Sequence, residues 1–170
     1  MSESRIWASD IAARKKELGG IELATNVYLS AERDQIIFAP LFWADKGLYF
    51  EQDQPFVAGF DEDDETIGHA LKQALLMFQR NVDGFKVISS KHWPAFDIGK
   101  ERTKSGFRSK YVLVTAETTN ASLRLEALKE YEDQIFVGSY IAPGCQDEEI
   151  GALLKRLYRA ACLLRTSLDE

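Results

Sequence analysis

Apolar residues recur three, four and seven positions apart in two stretches of the chain: Ile67, Leu71, Ala74, Leu75 and Phe78, then Ile150, Leu153, Leu154, Leu157, Ala161 and Leu164. This is the period of an amphipathic helix, so each stretch is predicted to be helical with one stripe facing a core. Acidic residues open both, Asp61, Glu62, Asp63, Asp64 and Glu65 at the first and Asp147, Glu148 and Glu149 at the second. Carboxylates there cap free backbone amides and sit at the positive end of the helix dipole. Residues 10–18, closed by Gly19-Gly20, predict one further helix.

Ahead of each main helix the pattern changes to β-branched and aromatic runs broken by turn residues. Thr25-Asn26-Val27-Tyr28-Leu29-Ser30 and Gln35-Ile36-Ile37-Phe38-Ala39 flank Ala31-Glu32-Arg33-Asp34 and read as a hairpin. Leu48-Tyr49-Phe50 follows the turn Asp45-Lys46-Gly47, and Phe56-Val57-Ala58 follows Pro55. Pro40 marks an edge, a bulge or a strand end, because it lacks an N–H for the ladder. In the second half residues 110–116, 122–127 and 134–141 repeat the theme, with a turn at Thr118-Thr119-Asn120 and a stop at Pro143-Gly144.

The halves also match in sequence. Glu65-Thr66-Ile67-Gly68-His69-Ala70-Leu71-Lys72 recurs 83 residues later as Glu148-Glu149-Ile150-Gly151-Ala152-Leu153-Leu154-Lys155. A glycine in a first turn lowers helix propensity by about 1 kcal/mol, which implies close packing, and both glycines are expected to face the sheet. The predicted fold is α+β: two repeated antiparallel β-rich units, each followed by an amphipathic helix, in one domain over 1–170 with a pseudo-twofold arrangement. The repeats run over about 24–81 and 92–165. Sequential strands without alternating helices exclude a doubly wound nucleotide fold. A two-domain split at residues 81–91 would leave each half with a thin core.

Composition adds limits. The chain has 170 residues and a net charge of −6, with few prolines and glycines, so it reads as globular and acidic. Its start is polar and mixed, without the apolar run of a signal peptide, and no apolar run approaches the roughly 20 residues of a membrane helix. A cytoplasmic, membrane-free protein is expected. Cys145 and Cys162 read as packing thiols.

Catalytic signatures are missing from the pattern. His69 and His92 stand alone, no spacing suits zinc, and there is no phosphate loop or nucleophile elbow, so neither enzyme activity nor a metal or cofactor is expected. A hydrolase using His69 or His92 as base, or a thiol enzyme built on Cys145, would need partners that only the fold brings together. Residues 91–110 mix basic groups with Trp93, Phe96 and Phe107, a blend that binds single-stranded nucleic acid when exposed. The plainer reading is a solvated loop joining the halves, and the acidic net charge opposes polyanions. The run Asp61 to Glu65 fits a solvated helix start or a basic partner, with Trp43, Tyr49 and Trp93 as anchors.

Taken together, Asn26-Val27-Tyr28-Leu29-Ser30, Ile36-Ile37-Phe38-Ala39-Pro40, Thr66-Ile67-Gly68, His92-Trp93-Pro94-Ala95-Phe96, Lys104-Ser105-Gly106-Phe107 and Glu149-Ile150-Gly151 resemble the immunity proteins of bacterial contact-dependent growth inhibition systems. The likeness spans about 24–164. It implies a cytoplasmic inhibitor without catalysis that binds its cognate toxin C-terminal domain. That toxin is expected to be a basic nuclease, an RNase in many systems, blocked at its active site or substrate surface in a 1:1 complex with a monomer. It carries no catalytic residues over, so the toxin-binding candidates remain Asp61, Glu62, Asp63, Asp64, Glu65, Trp43, Tyr49 and Trp93. The duplicated strand-and-helix plan also resembles the architecture of Whirly-type single-stranded nucleic-acid-binding proteins, and a nucleic-acid module using residues 91–110 is the competing expectation.

Overall fold

The alternating runs become strands because one side of each can be buried under the two long helices. The computed structural model describes residues 3–44, 47–80, 93–120, 122–128, 136–142 and 144–166. In chain order the elements are α1 (Glu3–Glu17), β1 (Ala24–Ser30), β2 (Gln35–Ala44), β3 (Leu48–Glu51), β4 (Phe56–Ala58), α2 (Asp64–Leu76), β5 (Gln79–Arg80), α3 (Pro94–Gly99), α4 (Lys104–Lys110), β6 (Val112–Thr119), β7 (Ser122–Leu128), β8 (Phe136–Ile141) and α5 (Asp147–Thr166). The strands form one sheet in the order β3-β2-β1-β6-β7-β8, with β4 and β5 also paired to β2. Every pairing is antiparallel except that of β5. The fold is α+β in a single domain, as the sequence predicts.

Turn chemistry sets the register. Asp34 and Asn120 take positive φ at the β1–β2 and β6–β7 turns, a conformation Asp and Asn tolerate better than other side chains. Pro40 is the point where β2 changes neighbours: Thr25 of β1 pairs with it, and from Leu41 onward β2 pairs with β3. Its missing N–H is thus placed at the change of partner.

One face of the sheet is dry. Val27, Leu29, Ile36, Phe38, Val114, Ala116, Leu123 and Leu125 are buried there against Ile67, Leu71, Leu75, Ile150, Leu154 and Leu157 of α2 and α5. Burying a large aliphatic or aromatic side chain contributes about 1.5–3 kcal/mol each, so this layer dominates stability.

The glycines do not face the sheet as expected; they face each other's helices. A Cβ on Gly68 would overlap the Asp147 carbonyl of α5, and one on Gly151 would overlap the Asp64 carbonyl of α2. Lys72 of α2 forms an ion pair with Asp147, and Lys155 of α5 forms one with Asp64 at 2.8 Å. Two backbones that cross this closely leave no room for a side chain, which is why glycine stands at the crossing. Gly68 and Lys72 of α2 therefore meet Asp147 just as Gly151 and Lys155 of α5 meet Asp64, a reciprocal pair of contacts between repeat-related positions.

Residues 91–110 are not a solvated loop over their described part. They form α3 and α4, which lie on the opposite face of the sheet and seal Tyr28, Ile37 and Ala39 under Ala95, Phe107 and Tyr111. Lys91, His92, and the alternative boundary at residues 81–91 lie outside the described residues.

Candidate functional site

Among the described residues, α3 and α4 cover only part of the opposite face. Alternation along β6 puts Leu113, Thr115 and Glu117 on this face, and Leu113 alone packs with the aromatic cluster. Register extends the other two into rows across the strands. One row runs Asn26, Thr115, Glu126, Gly138, and the next runs Ala24, Glu117, Arg124, Tyr140.

The covered half ends at Trp93. Pro94 starts α3 in the position where its missing N–H is harmless, and Thr103 caps α4 by accepting from the Gly106 amide at 3.0 Å. Gly99 at the end of α3 lies so close to the Phe107 ring that a Cβ would stand 2.5 Å from it. Phe107 is fully buried and has Tyr28, Trp93, Phe96 and Tyr111 as ring neighbours. A hydrogen-bond chain ties this cluster to β3. Trp93 Nε1 donates to the Tyr28 hydroxyl at 3.1 Å, and that hydroxyl donates to Glu51 Oε1 at 2.6 Å. Asn26 Nδ2 donates to the same oxygen at 3.2 Å, and the Ala95 amide donates to Oε2 at 3.1 Å. Burial first, and then the Glu51 charge, push the Tyr28 phenol above its ordinary range.

Beyond Trp93 a cleft of about 350 Å³ opens, walled by Tyr49, Glu51 and Trp93 and floored by Asn26, Thr115 and Glu117. Arg124, the cross-strand partner of the floor residue Glu117, meets Glu117 at 2.5 Å and Glu126 at 3.7 Å. Partial burial opposes the Arg124 charge, but Glu117, Glu126 and Tyr140 outweigh it and raise the guanidinium pKa above its ordinary value. The Tyr49 phenol is raised by burial first and then by the charges of Glu117 and Glu22. Tyr140 is 68% exposed at the rim.

The structure brings Tyr49 and Trp93 together at this cleft. Trp43 is the cross-strand partner of Tyr49 and carries Arg80 over its ring at 5.2 Å. The acidic run lies elsewhere. Asp61 is tied through its amide to Asp34 in the β1–β2 turn, whereas the cleft is lined at the other end of β1 by Ala24 and Asn26. Within the run, Asp63 caps α2 by accepting from Thr66 N at 2.8 Å, Asp64 pairs with Lys155, and Glu62 accepts from the Gly59 amide at 3.0 Å. Asp61 and Glu65 are exposed.

The basic residues of α4 are partly spent as well: Lys104 and Arg108 lie over Trp93, and Lys110 pairs with Glu101 at 3.2 Å. His69 is exposed beside Asp147 at 3.6 Å. Burial and then Glu149, which accepts from Sγ at 3.1 Å, raise the Cys145 thiol to about 11, the reverse of an activated nucleophile.

Sequence reasoning missed Glu51, Glu117, Arg124, Glu126 and Tyr140. The signal was present in the switch from Leu113 to Thr115 and Glu117 on alternate positions, and in Arg124 and Glu126 two apart on the next strand.

The class these features define is an α+β sheet with one face under α2 and α5 and the other, among the described residues, partly covered by α3 and α4. No family model matches the sequence, and no curated protein matches it by sequence. Solved structures share the fold. A protein of unknown function from Neisseria meningitidis superposes with a TM-score of 0.62 at 17% identity, over 79% of this chain and 92% of that one. A chain of the CdiA-CT/CdiI toxin and immunity complex from Yersinia pseudotuberculosis superposes with a TM-score of 0.58 at 12% identity, over 82% of this chain and 97% of that one.

Proposed function

We propose that this chain is an immunity protein that binds and neutralises the toxin domain of a contact-dependent growth inhibition system. The observation that carries the reading is the fold it shares with a chain of a toxin and immunity complex, nearly all of whose length it matches. Net charge supports the immunity side: an acidic chain suits a toxin with a basic surface for RNA. The reading extends to a cytoplasmic inhibitor that works without catalysis, one copy per toxin, with an RNase as the target. Two surfaces offer themselves for contact, the acidic corner from Asp61 to Glu65 and the cleft beside Tyr49 and Trp93. The nucleic-acid alternative is weakened because Phe107, which would be a stacking platform, is buried in the sheet cover.

The test is co-expression with the toxin-like C-terminal segment encoded immediately upstream, followed by size-exclusion mass analysis and a growth assay. A stable 1:1 complex and restored growth support the reading. Free components and continued killing, or toxicity from this chain expressed alone, sink it.

A further inference from the structure

We infer that the half-open sheet face is the toxin-binding surface, and that it receives a basic side chain, arginine or lysine, carried on a loop of the toxin. This rests on the immunity reading and adds to it where the contact lies and what chemistry makes it.

The argument starts with charge. The described residues that line the cleft include Glu51 and Glu117 and no lysine or arginine; on the neighbouring strands Arg124 is shared by Glu117 and Glu126. Glu51 is held by the Tyr28 hydroxyl, the Asn26 amide and the Ala95 N–H, and no lysine or arginine among the described residues pairs with it. Among the described residues the cleft lining is therefore short of positive charge, and it is partly desolvated, where an added cation gains most.

Shape agrees with charge. The cleft of about 350 Å³ is at the lower end of the size that encloses a small ligand, large enough for one long side chain and the loop that bears it. Of its aromatic walls, Trp93 already carries Lys104 and Arg108 over its ring, and Tyr49 provides a ring face for a guanidinium or ammonium. Trp93 divides the face: on its other side a space of only about 30 Å³ is lined by Arg108 and Arg165, a poor place for a further cation. Tyr140 at the rim extends the surface with the kind of rigid, amphipathic side chain that anchors interfaces.

The acidic corner makes a poorer contact. Asp63 and Asp64 are already committed to a helix cap and to Lys155, and Glu62 to the Gly59 amide.

The experiment measures affinity for the purified toxin segment encoded upstream, using the full chain. Replacing Glu117→Gln and Glu126→Gln together is expected to weaken binding roughly tenfold or more, Tyr49→Ala comparably, and Asp61→Asn with Glu65→Gln by less than about threefold. Thermal unfolding of each variant checks that it is folded. A second measurement does not depend on losing a side chain that packs: a photoreactive aromatic residue at position 140 is expected to crosslink to the toxin, and the same residue at position 61 or 65 is not. Wild-type binding that survives in the cleft variants, or crosslinks only from positions 61 and 65, overturns the docking surface and leaves the immunity reading standing. Wild-type protein that forms no complex and gives no protection overturns both.

Discussion

The two halves of the half-open face are built from the same strands, yet they have opposite fates. Under α3 and α4, Tyr28 and Leu113 pack with Phe107 and Tyr111 in a sealed aromatic cluster. Two residues along those strands, Asn26 and Thr115 stand at the floor of an open cleft, and Glu117 follows. The backbone does not distinguish the halves; the side chains do. Where the alternate positions are apolar, short helices settle and exclude water; where they become charged, no described helix covers them. Trp93 belongs to both, since its indole N–H holds the cluster together through Tyr28 while its ring walls the cleft.

Substitutions should separate the halves by what they cost. The largest effect is expected from Phe107→Ala, which empties the middle of the covered half and should cost about 4 kcal/mol of unfolding free energy in denaturant titration. Gly99→Ala forces a methyl into the Phe107 ring and should cost roughly 2 kcal/mol, since either α3 or the ring must shift. Glu51→Gln sits on the boundary. It keeps the shape but turns an acceptor into a donor facing a fixed partner, so a loss of about 1–2 kcal/mol is expected, together with a fall of the Tyr28 phenol pKa toward its ordinary range, read by ultraviolet titration.

Smaller still is an effect of pH at the rim of the open half. Burial opposes the Glu22 charge, but hydrogen bonds from Lys15, Thr118 and the Asn120 amide outweigh it and lower its pKa. A carboxylate with a lowered pKa in the folded state contributes stability that is present above the ordinary glutamate value. That contribution is lost as pH falls through the lowered one. Glu22→Gln should flatten the stability slope across that acidic window and leave stability above it independent of pH from this source. At the bottom of the order, Glu117→Gln with Glu126→Gln in the open half should change stability by no more than about 0.5 kcal/mol. A large loss there would mean that the open half is structural and would erase the contrast.

Much of the fold could be read in advance from periodicity. The stripes Ile67 to Leu75 and Ile150 to Leu164 became α2 and α5, while Phe78, read into the first stripe, lies just past the end of α2 and is buried in the same core; Asp34, Pro40 and Asn120 marked real turns and a real change of strand partner. What periodicity could not supply was depth perpendicular to the chain. Gly68 and Gly151 signalled close approach, but nothing local says whether a sheet or another helix approaches, and the answer was the other helix. The basic and aromatic run at residues 91–110 looked like a surface because its charges dominate the composition, whereas its aromatics turn inward as two short helices. The candidate site suffered most. Tyr49 and Trp93 were legible as large rings outside the helical stripes, but Glu51, Glu117 and Arg124 act only through cross-strand register, which joins residues far apart in sequence.

The crossing of α2 and α5 bears on how the chain is made. A ribosome delivers α2 long before α5, and until Asp147 and Lys155 emerge, Gly68 and Asp64 have nothing to close against. For the earlier part of that interval, until β6 emerges, β1 also lacks its β6 neighbour. The half-made protein thus carries an open strand edge and an unfinished helix layer, features that slow folding and invite association with other chains. Completion comes as one late event, when the last helix locks both halves at once.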